Sequence, residues 1–300
     1  MENIILIVLC LIIGLVLQNI KEIPNGFSRS LNIFVIYVSV PALVLLNVPE
    51  LKFSSDLLIA VIMPWLMLVV AVIAILALAK LFHWSREVVG ILLLVIPLGN
   101  TSFLGFPLVS SFFGEAALPY AVIYDQLGSF LALAIYGSIV LAIYSSKKEQ
   151  VSILSITKSV LKFPPFISFI LALLFSSYLT SKQVTVVLSP LAATLVPVIM
   201  VAVGYNMRFK LSKEELSPLI LGLSIKLLLL PFTAFLIVYF LGLNSVVAKV
   251  SVFEAGMAPM ITAGALAVMA GLSPRLSSAI VGYGLLVSLV TLPLLYHLLR

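Results

Sequence analysis

The chain has 300 residues; 63% are hydrophobic, 9% are charged, and the formal net charge is +6. A soluble domain carries about 25% charged residues, so this chain lacks the polar surface that water demands. A soluble enzyme, a nucleic-acid-binding protein and a disordered chain are excluded. The apolar runs are continuous, which also excludes an outer-membrane barrel with its period-two alternation. The composition predicts an all-α polytopic membrane protein whose first partner is the lipid bilayer.

A helix needs about 20 mainly apolar residues to cross a bilayer. Runs of that size centre on 3–20, 30–48, 57–81, 87–113, 117–144, 164–180, 184–206, 216–241, 246–271 and 274–298, predicting ten spans. The start, Met1-Glu2-Asn3, has no positive n-region, so the first run reads as a retained span. Cys10 lies inside that run as the single cysteine, which leaves no intramolecular disulfide and no cysteine metal cluster. His83 and His297 lie near span ends, with no nucleophile–base grouping close in sequence. Asp56 and Ser85 stand where they can cap the third and fourth spans, Ser212 and Glu215 have capping-box spacing before the eighth, and Ser273-Pro274 opens the tenth.

Lys and Arg set the orientation. Loops after odd spans hold twelve of the 17 basic residues and the opposite side holds four, with Lys226 inside a span. The odd-numbered loops are therefore expected in the cytoplasm, and both termini outside the cytoplasmic membrane. The longest loop, 147–163, is basic. It separates a first five-helix unit, 1–146, from a second, 164–300. Five is odd, so the second unit enters the membrane inverted, an architecture common among secondary transporters. Proline order agrees: Pro41, Pro64 and Pro97 fall in spans two to four, and Pro197, Pro231 and Pro259 in spans seven to nine.

Spans four and nine are expected to break. The fourth reads IPLGNTSFLGFPL from Ile96 to Leu108, and the ninth reads EAGMAPMITAG from Glu254 to Gly264. Proline removes a backbone donor and glycine weakens a helix. Broken helices leave free N–H groups at one end, suited to anions, and free C=O groups at the other, suited to cations. Paired interruptions of this kind point to a binding site near the midplane. Asn100, Thr101 and Ser102 lie in the first break, and Thr262 follows Pro259 by three residues as Asn100 follows Pro97. These side chains either bind a ligand or satisfy backbone groups at a kink; for Asn100 the ligand role is preferred.

Three ionisable residues, Asp125, Lys226 and Glu254, fall well inside spans. Each costs about 2.5–3.5 kcal/mol at a helix centre on insertion scales, which favours a functional reason for their presence. Asp125 shares a helical stripe with Gly128, Ser129, Ala132 and Tyr136, so it should face a cavity. Asp125 and Glu254 are candidates for binding Na⁺ or carrying H⁺, or for a structural pair. Lys226 is expected to snorkel, to neutralise a carboxylate, or to attract an anionic substrate. Tyr205 and Asn206 read as interfacial anchors.

At these residues the chain resembles prokaryotic members of the auxin efflux carrier family. The resemblance runs through LNIFVIYVSVPALVL (31–45), GNTSFLGFPL (99–108), YDQLGSF (124–130) and the interrupted ninth span. It implies ten spans in two inverted repeats, with spans four and nine crossing at Pro97 and Pro259 and Asn100 facing the substrate. It implies that spans three to five and eight to ten move against a scaffold of spans one, two, six and seven, which is often a homodimer contact. It also implies a small organic anion as substrate, since similar proteins carry malate, malonate or auxin. EAGM (254–257) is similar to the sodium-ligand stretch of the bile acid sodium symporters, which have a similar fold. That likeness implies Na⁺ at Glu254, Asn100 and Thr101, with no other metal or cofactor. Ala258 and Pro259 replace the Gln and Asn of those symporters, so H⁺ coupling is an equal expectation. A channel or uncoupled uniporter for small anions is the alternative. A pore would be expected to show rings of like charge or a filter repeat, and an enzyme or receptor would need reacting groups or soluble extensions that the sequence lacks.

Overall fold

The computed structural model describes residues 2–24, 26–51, 54–145, 153–207 and 213–300. Among them the regular elements are all helical. Six helices are long and apolar enough to cross a membrane: Phe27–Glu50, Leu57–Phe82, Glu115–Tyr144, Lys182–Asn206, Glu215–Phe240 and Pro274–Leu299. The remaining apolar stretches are assembled from shorter helices, among them Glu2–Leu17 and Pro164–Leu174. The 164–180 run turns at Phe175 and ends in a second short helix, Ser176–Leu179. Residues 147–152 of the expected linker and Ser212 of the expected capping box lie outside the described residues. Part of the linker is helical, over Ile153–Leu161.

Proline shapes the long helices in a regular way. Three of the five π-helical stretches among the described residues, Val35–Ser39, Thr101–Gly105 and Ile225–Leu229, each end two residues before a proline, Pro41, Pro107 and Pro231, while Asp125–Phe130 and Leu133–Gly137 have no such proline. A proline has no N–H to give the carbonyl four residues back, and its ring crowds that carbonyl. That carbonyl falls inside the π stretch each time, where a wider i→i+5 turn relieves the crowding.

The helices pack mainly within two groups. In one, Glu2–Leu17 lies along Leu195–Asn206, while Pro164–Leu174 and Lys182–Ala193 pack on Val40–Asn47. The first contact brings backbones together: a Cβ on Gly14 would lie 2.3 Å from the Val201 carbonyl, and one on Gly204 would lie 2.2 Å from the Leu11 carbonyl. Gln18 Nε2 closes the end of this contact by donating to the carbonyls of Gly204 (2.8 Å) and Met207 (3.0 Å). Asn206, exposed at the end of its helix, donates to Ser28 Oγ. In the other group, Val246–Ala255 packs against Leu57–Phe82, Leu118–Tyr124 and Leu230–Phe240, and Ile261–Met269 packs against Pro274–Leu299 and Arg86–Val95. The predicted stripe on 115–144 faces inward there: Asp125, Ser129 and Ala132 are buried, and Gly128 leaves no room for a Cβ beside Pro64.

Helix starts divide by the backbone conformation of the cap residue. Ser85 caps Arg86–Val95 by accepting from the Val88 N–H (3.4 Å), as expected. Asp56 stands at the cap position of 57–82 but makes no side-chain cap bond, a correction to the expectation; its own backbone is already helical, whereas a capping residue needs an extended one. Ser273 sits in the left-handed region (φ 36°) ahead of Pro274 and also makes no cap bond. Ser245 caps Val246–Ala255, accepting from the Ala248 N–H at 3.3 Å.

Candidate functional site: the crossing of two broken helices

Both expected breaks are present. Arg86–Val95 stops before Pro97, and helical structure resumes at Thr101; Val246–Ala255 stops before Pro259, and Ile261–Met269 follows. The two interruptions cross in antiparallel fashion. The Asn100 N–H donates to the Ala258 carbonyl (2.8 Å), the Met260 N–H donates to the Leu98 carbonyl (3.0 Å), and Gly99 stands opposite Pro259. Extended backbone buried at this depth must find partners within the protein, and each break supplies them to the other. Close packing holds the crossing: a Cβ on Gly284 would meet Pro259 Cδ at 2.5 Å.

The segments also share a register. Each has a serine cap, a ten-residue helix and five non-helical residues, and equivalent positions differ by 160: Ser85 and Ser245, Val95 and Ala255, Thr101 and Ile261. In that register Asn100 matches Met260. The sequence-based pairing of Asn100 with Thr262 is therefore shifted by two residues, because proline spacing was its guide and the two prolines occupy different places in their breaks.

Each break proline leaves a carbonyl without its helical donor, and a side chain from a neighbouring helix replaces it. Pro97 cannot serve the Leu93 carbonyl, which accepts from Tyr136 Oη instead (2.8 Å). Pro259 cannot serve the Ala255 carbonyl, which accepts from Lys226 Nζ (3.3 Å). Lys226 is buried in the π turn of the 215–240 helix, so it does not snorkel out.

The polar residues fall on two sides of the crossing. On one side, Asp125 accepts from Thr101 Oγ1 (2.5 Å) and from Gln126 Nε2 (2.7 Å). Asn100, Ser102, Asp125, Gln126, Met260 and Thr262 line a cavity of about 70 Å³, walled by Phe103, Phe130 and Phe163. Asn100 Nδ2 and Gln126 Oε1 are buried with no hydrogen-bond partner. On the other side, Glu254 is fully buried and both carboxylate oxygens lack a hydrogen-bond partner. The carboxylate rests on Gly105, where a Cβ would lie 2.6 Å from Oε2. It stands in the electrostatic field of Asp125 and Lys226. The Thr101 hydroxyl thus turns to Asp125 and not to Glu254. Gln126 was not singled out from the sequence; an amide beside an intramembrane aspartate was the available signal.

A sequence family described as "membrane transport protein" matches residues 1–296. An uncharacterized transporter of Methanocaldococcus jannaschii is 26% identical over 266 residues, covering 86% of this chain and 85% of the relative. An uncharacterized transporter of Methanothermobacter thermautotrophicus is 27% identical over 303 residues, covering 98% and 96%.

Proposed function

We infer the function of this chain from its family: it belongs to the membrane transport protein family of the auxin efflux carriers, a family of transporters and not of enzymes. It is an integral, multi-pass membrane protein. Beyond that, it acts as a secondary active transporter for a small organic anion, with ten spans arranged as two inverted five-helix repeats. The matched serine-capped helices and five-residue breaks support the repeat. It resides in the cytoplasmic membrane with both termini outside, on the distribution of Lys and Arg.

The observation that carries this reading is the small cavity beside the crossing, lined by Asn100 with its unpartnered amide donor. A buried donor without a partner costs about 1–3 kcal/mol, and a carboxylate oxygen would satisfy it. Ser102 and Thr262 add hydroxyls, and the phenylalanines exclude water. Pro97 and Pro259 set the backbone of the site, and Lys226 contributes positive charge behind it. Asp125 and Glu254 couple transport to H⁺ or Na⁺. The group containing both broken helices moves the cavity past the other group by elevator-type alternating access. The two packing groups support that division. The 2–17 and 27–50 helices, with 164–174 and 182–206, form the scaffold and the contact of a homodimer.

The test is a thermal-shift screen of the purified protein against small carboxylates, with and without Na⁺ and at two pH values. A bound ligand stabilises the folded state by mass action. The screen should return at least one small carboxylate, and Asn100→Ala should weaken that ligand about tenfold while keeping wild-type expression. Unchanged affinity in Asn100→Ala would remove the cavity from the mechanism.

A further inference from the structure

The Ala255 carbonyl marks the C-terminal end of a buried half-helix. Such an end carries about half a negative elementary charge, and Pro259 denies this one its backbone donor. Both carboxylate oxygens of the adjacent Glu254 are buried and make neither a hydrogen bond nor an ion pair, so they stand off from Lys226 Nζ and act on it through their field. The Glu254 backbone carbonyl lies close as well: a Cβ on Gly99 would be 3.5 Å from it and 3.3 Å from Lys226 Nζ. This concentration of negative charge and carbonyl oxygen, closed off from water, is the chemistry that holds a hard monovalent cation. One cation is already there: the Lys226 ammonium, 3.3 Å from the Ala255 oxygen and 2% exposed.

We propose that Lys226 is a tethered cation, occupying a monovalent-cation site built from the Ala255 and Glu254 backbone carbonyls, in the field of the Glu254 carboxylate, at the end of the first half of the broken helix. The chain supplies covalently what would otherwise be a free sodium ion at this point of the crossing. The π turn at Ile225–Leu229, just before Pro231, places the lysine there. Sodium therefore does not bind at this end of the crossing in the wild-type protein, and removing the lysine uncovers a site for it. The proposal refines the transport reading of the crossing, but its test reads cation binding alone and uses no organic anion. Failure of one is thus distinguishable from failure of the other.

The experiment measures thermal unfolding of the purified full chain while Na⁺ replaces choline at constant ionic strength. Wild type should show no sodium-specific shift that depends on Glu254. Lys226→Ala and Lys226→Ser should be less stable without Na⁺ and should gain about 2–4 °C, saturably, as Na⁺ rises. Adding Glu254→Gln to either variant should abolish that response. Lys226→Met, which fills the space without charge, should not respond. A saturable sodium-specific shift in wild type that Glu254→Gln removes would overturn the proposal, as would sodium indifference in both small variants. If neither small variant can be obtained folded in choline, folding restored by Na⁺ supports the proposal, and failure in both salts overturns it.

Discussion

Glu254 is an energetic liability to the resting fold. A buried carboxylate without hydrogen bonds is poorly compensated, and an uncompensated buried charge destabilises by several kcal/mol. Its retention next to a helix break fits a group that exchanges a cation or proton during a cycle. Glu254→Gln keeps the shape and removes the charge. The variant should still fold, while coupled uptake into proteoliposomes falls to background. Preserved uptake would return Glu254 to a structural role. Asp125 has the opposite character. It accepts from Thr101 and Gln126, so its charge is compensated where it lies. The sequence made the location of both carboxylates legible, since each sits alone in an apolar run. It did not reveal their difference. In an α-helix adjacent residues point about 100° apart, so Gln126 reads as a neighbour of Asp125 and not as a partner, and nothing local tells that Thr101, 24 residues back, faces it.

Glycine and proline act at the scale of elements. The helices Glu2–Leu17 and Leu195–Asn206 meet through Gly14 and Gly204, where any side chain would strike backbone. Small residues that allow close approach are the usual device for helix contact in lipid, where no hydrophobic force draws helices together. Gly204→Ala should cost about 1–3 kcal/mol through overpacking, read as a lower melting temperature, with the crossing itself intact. A neutral effect would mean that this contact is loose in the membrane. The breaks were foreseeable because Pro97 with Gly99, and Pro259 with Gly256, each bring a helix-breaking and a helix-weakening residue together. The π turns before Pro41, Pro107 and Pro231 were not read in advance, although their proline signal is local, because Pro64 sits within 57–82 with the helix uninterrupted. Whether a helix widens depends on what packs against it.

For the whole molecule, the decisive arrangement is the division into two packing groups that touch around the cavity. Phe130, from the 115–144 helix, stacks on Phe163, just before the 164–174 helix, with ring centroids 4.2 Å apart. If one group moves past the other, this contact must open in each cycle. Phe130→Cys with Phe163→Cys, in a Cys10→Ala background, places the pair across that boundary. A short bifunctional thiol cross-linker should then stop uptake, while either single cysteine treated alike should remain active. Full activity in the cross-linked protein would contradict the elevator motion.

By itself the sequence determined the membrane environment, the places where helices must stop, and the rare charges that a bilayer would otherwise expel. These are properties of composition and of single residues, set by the cost of polar groups in hydrocarbon and by the backbone chemistry of proline. The tertiary structure alone decided which break meets which, that Asn100 stands in register with Met260, and that Thr101 answers Asp125 while Lys226 answers the Ala255 carbonyl. Those pairings join residues far apart in the chain, and they are chosen by which unsatisfied donor the fold brings to which unsatisfied acceptor.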